Sequence, residues 1–343
     1  MNNEIQDVTF DSELSQGAFN AINACLRLKP EERVTIITDN EDIEIAAALA
    51  AEIKKVGSDF SVMVMEDYAP RPLKNMPKPI LEDLAKSQVS IFCAQAKESE
   101  LRSRIDMTDV VDANGIRHAH MVNITKQIML EGMRADYKEV DTISQKLIEK
   151  ARLAKKIIVK SDNGTDMVAE FTDKIKWLKT SGIISVEKWG NLPGGEIFTS
   201  PLKVDGIFVV DGVVGDYLCA KYGDLINTPL KIEISDSRIT RMECDNKELL
   251  EEFTEYTMTD ENSNRVGEYA IGTNLACKKV IGNILQDEKL PTIHIAFGHP
   301  YSKYTGADWV STTHIDCVSI KCSIWFDYGD STEQVMEKGK FLI

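Results

Sequence analysis

Over its first 130 residues the chain alternates short β-branched runs with amphipathic ones. RVTIITD (33–39) precedes EIAAALAAEIKKVG (44–57), and FSVMVME (60–66), LEDLAK (81–86) and VSIFCAQ (89–95) continue the alternation. Period-two or fully apolar short runs mark strands, and apolar residues at three- and four-residue spacing mark helices. Their succession predicts βαβ units around a parallel sheet, with HAHMVNI (118–124) as a further strand. No GxGxxG follows the first strand, where a pyrophosphate would need glycines for close backbone approach. The sheet therefore reads as a Rossmann-like scaffold without a nucleotide.

From Asp136 to Lys155 the pattern becomes a charged helix, DYKEVDTISQKLIEKARLAK, and the domain boundary is expected near its end. Beyond it, IIVKSDNGTDMVAEF, EIFTSPLKVDGIFVVDGVVGD and LKIEISDSRITRMECD are strand runs separated by turn residues, which predicts an antiparallel or mixed sheet. KELLEEFTEYT (247–257) reads as a helix across one face, and IHIAFGHPY and HIDCVSIKCSIWFDYG as two closing strands. The expected class is α/β: a Rossmann-like domain over 1–155 and a mixed α+β metal-binding domain over 156–343. A length of 343 residues agrees with two domains of about 100–200 residues each.

Composition narrows the partners. The chain is 43% hydrophobic and 28% charged, as in an ordinary globular protein, and its 55 acidic against 40 basic residues give a net charge of -15. Such a surface repels nucleic acid and anionic lipid. The polar start, MNNEIQDVTFDSELSQ, has no apolar core of a secretory signal, and no run approaches the ~20 apolar residues of a membrane span, so a cytoplasmic location is expected. Seven scattered cysteines without a CxxC pair read as small buried apolar residues.

Three of only five histidines, His294, His299 and His314, fall within 21 residues. In THIDCVSI, His314 and Asp316 are two apart on a strand, so both side chains project from one face and can grip one ion. An imidazole and a carboxylate suit zinc, manganese, cobalt or ferrous iron. His118 and His120 share the same spacing but lack a third ligand type nearby and read as structural. Asp166 and Asp211 lie in turn-like sequence where Asp is favoured for backbone reasons, and carry no assigned chemistry.

Four segments resemble the metallo-aminopeptidases related to aminopeptidase T and aminopeptidase S, in a superfamily shared with 2,5-dihydroxypyridine dioxygenase. NLPGGEIFTSP (191–201) is similar to the family's segment with a ligand glutamate before an aliphatic residue, Phe and Thr, which selects Glu196. RVGEYAIGTN (265–274) resembles its Gly-Glu segment and selects Glu268. IHIAFGHPY (293–301) resembles the segment with a ligand histidine and, seven residues on, a ligand tyrosine, selecting His294 and Tyr301. STTHIDCV (311–318) resembles the Ser-x-x-His-x-Asp segment, giving His314 and Asp316. The first half matches only in architecture and loosely in ITKQIMLEGMRADY.

The resemblance implies a dinuclear hydrolase with two divalent ions (Zn, Co or Mn), an aminopeptidase acting on short peptides, and a homodimer. Six ligands with three carboxylates suit two ions sharing a carboxylate, with Glu268 or Asp316 as the bridge. Such a pair acidifies water and polarises a scissile carbonyl. One departure stands out: peptidase members tend to have adjacent glutamates where this chain has Gly195 and Glu196, and Gly195 cannot carry a proton. His299 is the remaining proton-carrier candidate. The alternatives are a ring-cleaving dioxygenase with a single Fe(II) on His294, His314 and Asp316, a non-peptidase amide hydrolase, and a non-catalytic scaffold.

Overall fold

A computed structural model describes Ile5, residues 7–187 and residues 189–343. Contacts divide the chain into two compact units, one of residues 1–138 with 182–194, the other of residues 139–181 with 195–343. The helix Tyr137–Ala151, read from sequence as the end of the first domain, belongs from Glu139 onward to the second unit. Leu147, Ile148 and Ala151 on its apolar face are buried in that unit's core.

In the first unit, β1 (Arg33–Thr38), β2 (Asp59–Val64), β3 (Val89–Ala94) and β4 (Arg117–Val122) form a parallel sheet in the order β2-β1-β3-β4. The helix Ile43–Val56 joins the first two strands, and Gly57 ends it in the left-handed region. The helix Leu101–Asn114, not singled out in the sequence pattern, precedes β4; its mixed polarity hides the helical stripe. Where the order of connection reverses, beyond the ends of β1 and β3, the buried guanidinium of Arg71 bonds Asp39, Glu100 and the Gln95 carbonyl. That position, where open α/β sheets commonly bind ligands, is a closed ion-pair network.

The second unit is built on two antiparallel sheets. Chain order gives β5 (Lys156–Lys160), β6 (Asp166–Glu170), β7 (Leu178–Lys179), then β8 (Gly190–Asn191), which extends the first unit's sheet beside β4. β9 (Glu196–Thr199), β10 (Lys203–Val210), β11 (Leu230–Ser235), β12 (Arg238–Glu243), β13 (Val266–Gly272), β14 (Ile293–Gly298) and β15 (His314–Ser319) follow. β16 (Ser323–Asp327), β17 (Thr332–Glu337) and β18 (Lys340–Phe341) complete the set. The larger sheet runs β12-β11-β10-β6-β5-β16-β17-β18 and the smaller β15-β14-β13-β9-β7. The closing run 314–329, read as one strand, is two strands in different sheets, divided at Lys321, which adopts a left-handed backbone (φ 53). Among the described residues, no helix is long and apolar enough to cross a membrane.

The smaller sheet has two chemically distinct faces. Ile197, Tyr269, Ile271, Ile293, Ile295, Phe297, Ile315 and Cys317 occupy alternate positions and are buried in the apolar core. The intervening positions carry polar ligand types opposite small residues: Glu268 and Asp316 both pair with Ala296, His294 with Ala270, Glu196 with Gly272 and His314 with Gly298. Period-two geometry thus puts anchors on one face and, on the other, side chains with room to converge.

Candidate metal centre

Five of the six ligand candidates from the sequence project from that polar face: Glu196 on β9, Glu268 on β13, His294 on β14, and His314 and Asp316 on β15. Ligand atoms of Glu196, Glu268 and His294 lie within 4.8 Å of one another, and so do those of Glu268, His314 and Asp316. Glu268 belongs to both sets, with Oε1 3.6 Å from His294 Nε2 and Oε2 3.7 Å from His314 Nε2. His294 Nε2 is also 3.6 Å from Glu196 Oε2, and His314 Nε2 3.5 Å from Asp316 Oδ1.

These separations test whether the residues fit a metal. They are too long for good hydrogen bonds, whereas two donors each about 2.1 Å from one tetrahedral ion lie about 3.4 Å apart. The donor set fits divalent cations. The electrostatics agree. Burial opposes charging the imidazoles, yet Glu268, Glu196 and Asp316 lift His294 to about 9, and Asp316 and Glu268 lift His314 to about 10. Burial opposes ionising Asp316, but His314 and His294 hold it at about 2. A divalent cation would take the place of the imidazole protons against these carboxylates.

The orienting contacts set the tautomers. His314 Nδ1 donates to the His299 carbonyl at 3.0 Å, which turns Nε2 toward Glu268 and Asp316. Tyr256 holds the same strand end, accepting from the His314 N–H and donating to its carbonyl. Tyr301 sits in a left-handed turn (φ 49), 37% exposed and edge-on to the His314 ring at 4.8 Å. The Tyr301 N–H donates to His299 Nδ1 at 3.0 Å. Burial and the neighbouring His314 keep the His299 pKa below its ordinary value, so its neutral ring carries the proton on Nε2. His118 and His120 lie on β4 in the other unit.

Sequence reasoning missed Glu288, Lys289 and Thr180. Glu288 groups with His294 and Asp316, again within 4.8 Å. Lys289 Nζ reaches Glu196 Oε2 at 2.8 Å, and Thr180 Oγ1 donates to Glu196 Oε1 at 2.8 Å. The available signal was DEK (287–289), charged residues placed directly before a buried strand.

Gly195 has a structural reason. Its φ is +133, and an added Cβ would lie 2.7 Å from Asn274 Cβ and 2.9 Å from Asn274 N. Its N–H donates to the Thr180 carbonyl and its carbonyl accepts from Thr273 N–H, so the backbone cannot withdraw. Gly195→Ala is expected to cost about 2 kcal/mol or more of stability. Denaturant unfolding checks this; an unchanged midpoint would show that Asn274 yields freely.

This donor set, gathered on one sheet face, is of the kind that holds divalent ions. Residues 131–341 match the thermophilic metalloprotease (M29) family, and the chain belongs to it. The family places it among metal-dependent aminopeptidases. In fold, the chain is similar to wild-type AmpT from Thermus thermophilus, with a TM-score of 0.72 at 17% identity over 98% of this chain and 100% of that one. It is also similar to 2,5-dihydroxypyridine dioxygenase from Pseudomonas putida KT2440, with a TM-score of 0.70 at 13% identity over 96% of each chain. No curated protein sequence matches the chain.

Proposed function

We propose that this protein is a homodimeric aminopeptidase that releases N-terminal residues from short peptides with two divalent ions, zinc, cobalt or manganese. Glu196, Glu268 and His294 would hold one ion, and Glu268, His314 and Asp316, with Tyr301, the other. The observation that carries this reading is Glu268, whose two oxygens face two different imidazoles. When bound, the ions supply Lewis acidity for the scissile carbonyl and lower the pKa of water.

The chain's own groups do the rest. Thr180 and Lys289 hold the two oxygens of Glu196, and the His299 carbonyl fixes His314. His299, half-buried beside Tyr301, is the candidate proton carrier in place of a glutamate at 195: its Nε2–H donates toward the reacting group, and to take up a proton its Nδ1 would first release the Tyr301 N–H. Phe198 packs against Tyr301 with ring centroids 5.8 Å apart, an aromatic wall suited to an apolar N-terminal side chain.

Metal analysis after reconstitution tests the reading, together with hydrolysis of an aminoacyl p-nitroanilide. Two ions per chain and release of the N-terminal residue are expected, and light scattering should give twice 38.4 kDa. His299→Ala should keep both ions and lower kcat by roughly 10²-fold or more. A single iron per chain with no amide hydrolysis would instead support ring cleavage through His294, His314 and Asp316, and no bound metal would overturn both readings.

A further inference from the structure

Lys289 is a lysine with 2% side-chain exposure, placed within a cluster of carboxylates and imidazoles. The short helix Ile284–Asp287 delivers it there. The buried Asp287 carboxylate accepts the backbone N–H groups of Ile281, Gly282 and Asn283 at 2.9–3.0 Å, which fixes the turn leading into that helix. The Lys289 carbonyl then accepts the Asn274 N–H at 3.0 Å, so the residue is held by its backbone as well. Its ammonium lies 2.8 Å from Glu196 Oε2 and 2.5 Å from Glu288 Oε1. Glu196 Oε2 is also the oxygen that faces His294 Nε2 at 3.6 Å. A fixed cation and a ligand imidazole therefore converge on one carboxylate oxygen from two sides.

We propose that Lys289 is a resident cation of the metal centre: it neutralises Glu196 and Glu288 while the centre is empty, aims Glu196 at His294, and holds the affinity for divalent ions below what the carboxylates alone would give. This inference rests on the proposed metal-binding function. An isolated buried carboxylate is costly, and a paired ammonium offsets that cost in the empty protein. Lys289 Nζ sits between two carboxylate oxygens at 2.8 and 2.5 Å, the geometry of a paired ammonium. Once a divalent ion shares Glu196, the same ammonium repels it across a single oxygen. Even at an effective dielectric near 20, repulsion between a unit charge and a divalent ion that share one carboxylate oxygen would exceed the benefit of one orienting hydrogen bond. The repulsion therefore decides the sign. Lys289 makes the empty centre tolerable and the loaded centre exchangeable.

A purely orienting role predicts the opposite result on removal, so the sign of the change is the test. The full-length protein and its Lys289→Met variant are stripped of metal and titrated with Co²⁺ alone, followed by visible absorption, and with Zn²⁺ against a chromophoric chelator. K289M is expected to bind the first ion about tenfold more tightly or better, to lose it more slowly to the chelator, and to melt lower than the parent only when metal-free. K289R, which keeps the charge, should restore the parent's metal-free melting temperature. Affinity in K289M equal to or weaker than the parent's overturns the proposal while leaving metal binding intact. Should K289M fail to fold, Lys289→Gln, which keeps a hydrogen-bond donor for Glu196 without the charge, decides by the same logic: binding about tenfold tighter than the parent's is expected, and equal or weaker affinity would overturn the charge account. If the parent itself binds neither metal, the metal-centre reading fails first and this inference with it.

Discussion

Glu268→Gln is expected to reduce bound metal to at most one ion per chain and to lower kcat/KM for peptide-bond hydrolysis by about 10³-fold or more. The carboxylate is buried on β13, and each of its oxygens faces a different imidazole. A glutamine keeps the shape but offers one weak acceptor and an NH₂ that points its hydrogens at one of the two positions. Loss of a group that merely orients a ligand already costs about 10- to 100-fold in metal affinity, so loss of a shared ligand should exceed that. Elemental analysis and initial rates on an aminoacyl p-nitroanilide read the two effects separately. Two ions retained with normal rates would remove Glu268 from the bridge. Full activity with one ion would remove the dinuclear mechanism but leave the hydrolase.

The second large effect concerns acid stability, and it resides in the other unit. Ser90 Oγ lies 2.8 Å from His118 Nδ1, and His118 Nε2 lies 3.2 Å from His120 Nδ1. His120 stacks on Phe92 with ring centroids 5.1 Å apart and packs against Trp189 at 5.3 Å. Burial depresses His118 to about 3 and His120 well below its ordinary value, the second with help from His118. Because the folded-state values lie below the unfolded ones, the unfolded chain takes up more protons as pH falls. The stability from the two neutral rings is complete above about pH 6.5 and declines below it. Each ring approaches a slope of about 1.4 kcal/mol per pH unit below its unfolded pKa, so the pair should remove about 3 kcal/mol between pH 6.5 and pH 5. That is a large share of the stability of a typical domain, about 5–15 kcal/mol. Urea unfolding at pH 7, 6 and 5 should show the decline, and a His118→Asn/His120→Gln variant should flatten it. Equal slopes in parent and variant would sink this account.

Much of the candidate metal centre was legible because strand geometry is periodic. In EYAIG, HIAFG and HIDCV the ligand or small residue alternates with a large apolar one, so local sequence determines both the face and the neighbours of each ligand. Which strands pair is a non-local fact. Glu196 and Glu268, about 70 residues apart, meet only through the pairing of β9 with β13, and the family resemblance carried that step. Lys289 and Glu288 escaped notice because a charged pair after a four-residue helix has no amphipathic pattern to mark it as buried. The boundary between units was equally hard to place, since the helix Tyr137–Ala151 continues unbroken from one unit into the other.

The cradle around Gly195 bears on how this active site can diverge. A codon change there reads as a small step, yet any side chain at this φ must move the backbone at Asn274, whose N–H is tied to Lys289. An acidic neighbour for Glu196 is therefore not one substitution away. The route passes through a rebuilt 273–274 turn, and a lineage holding glycine here is committed to finding its proton acceptor on another part of the chain.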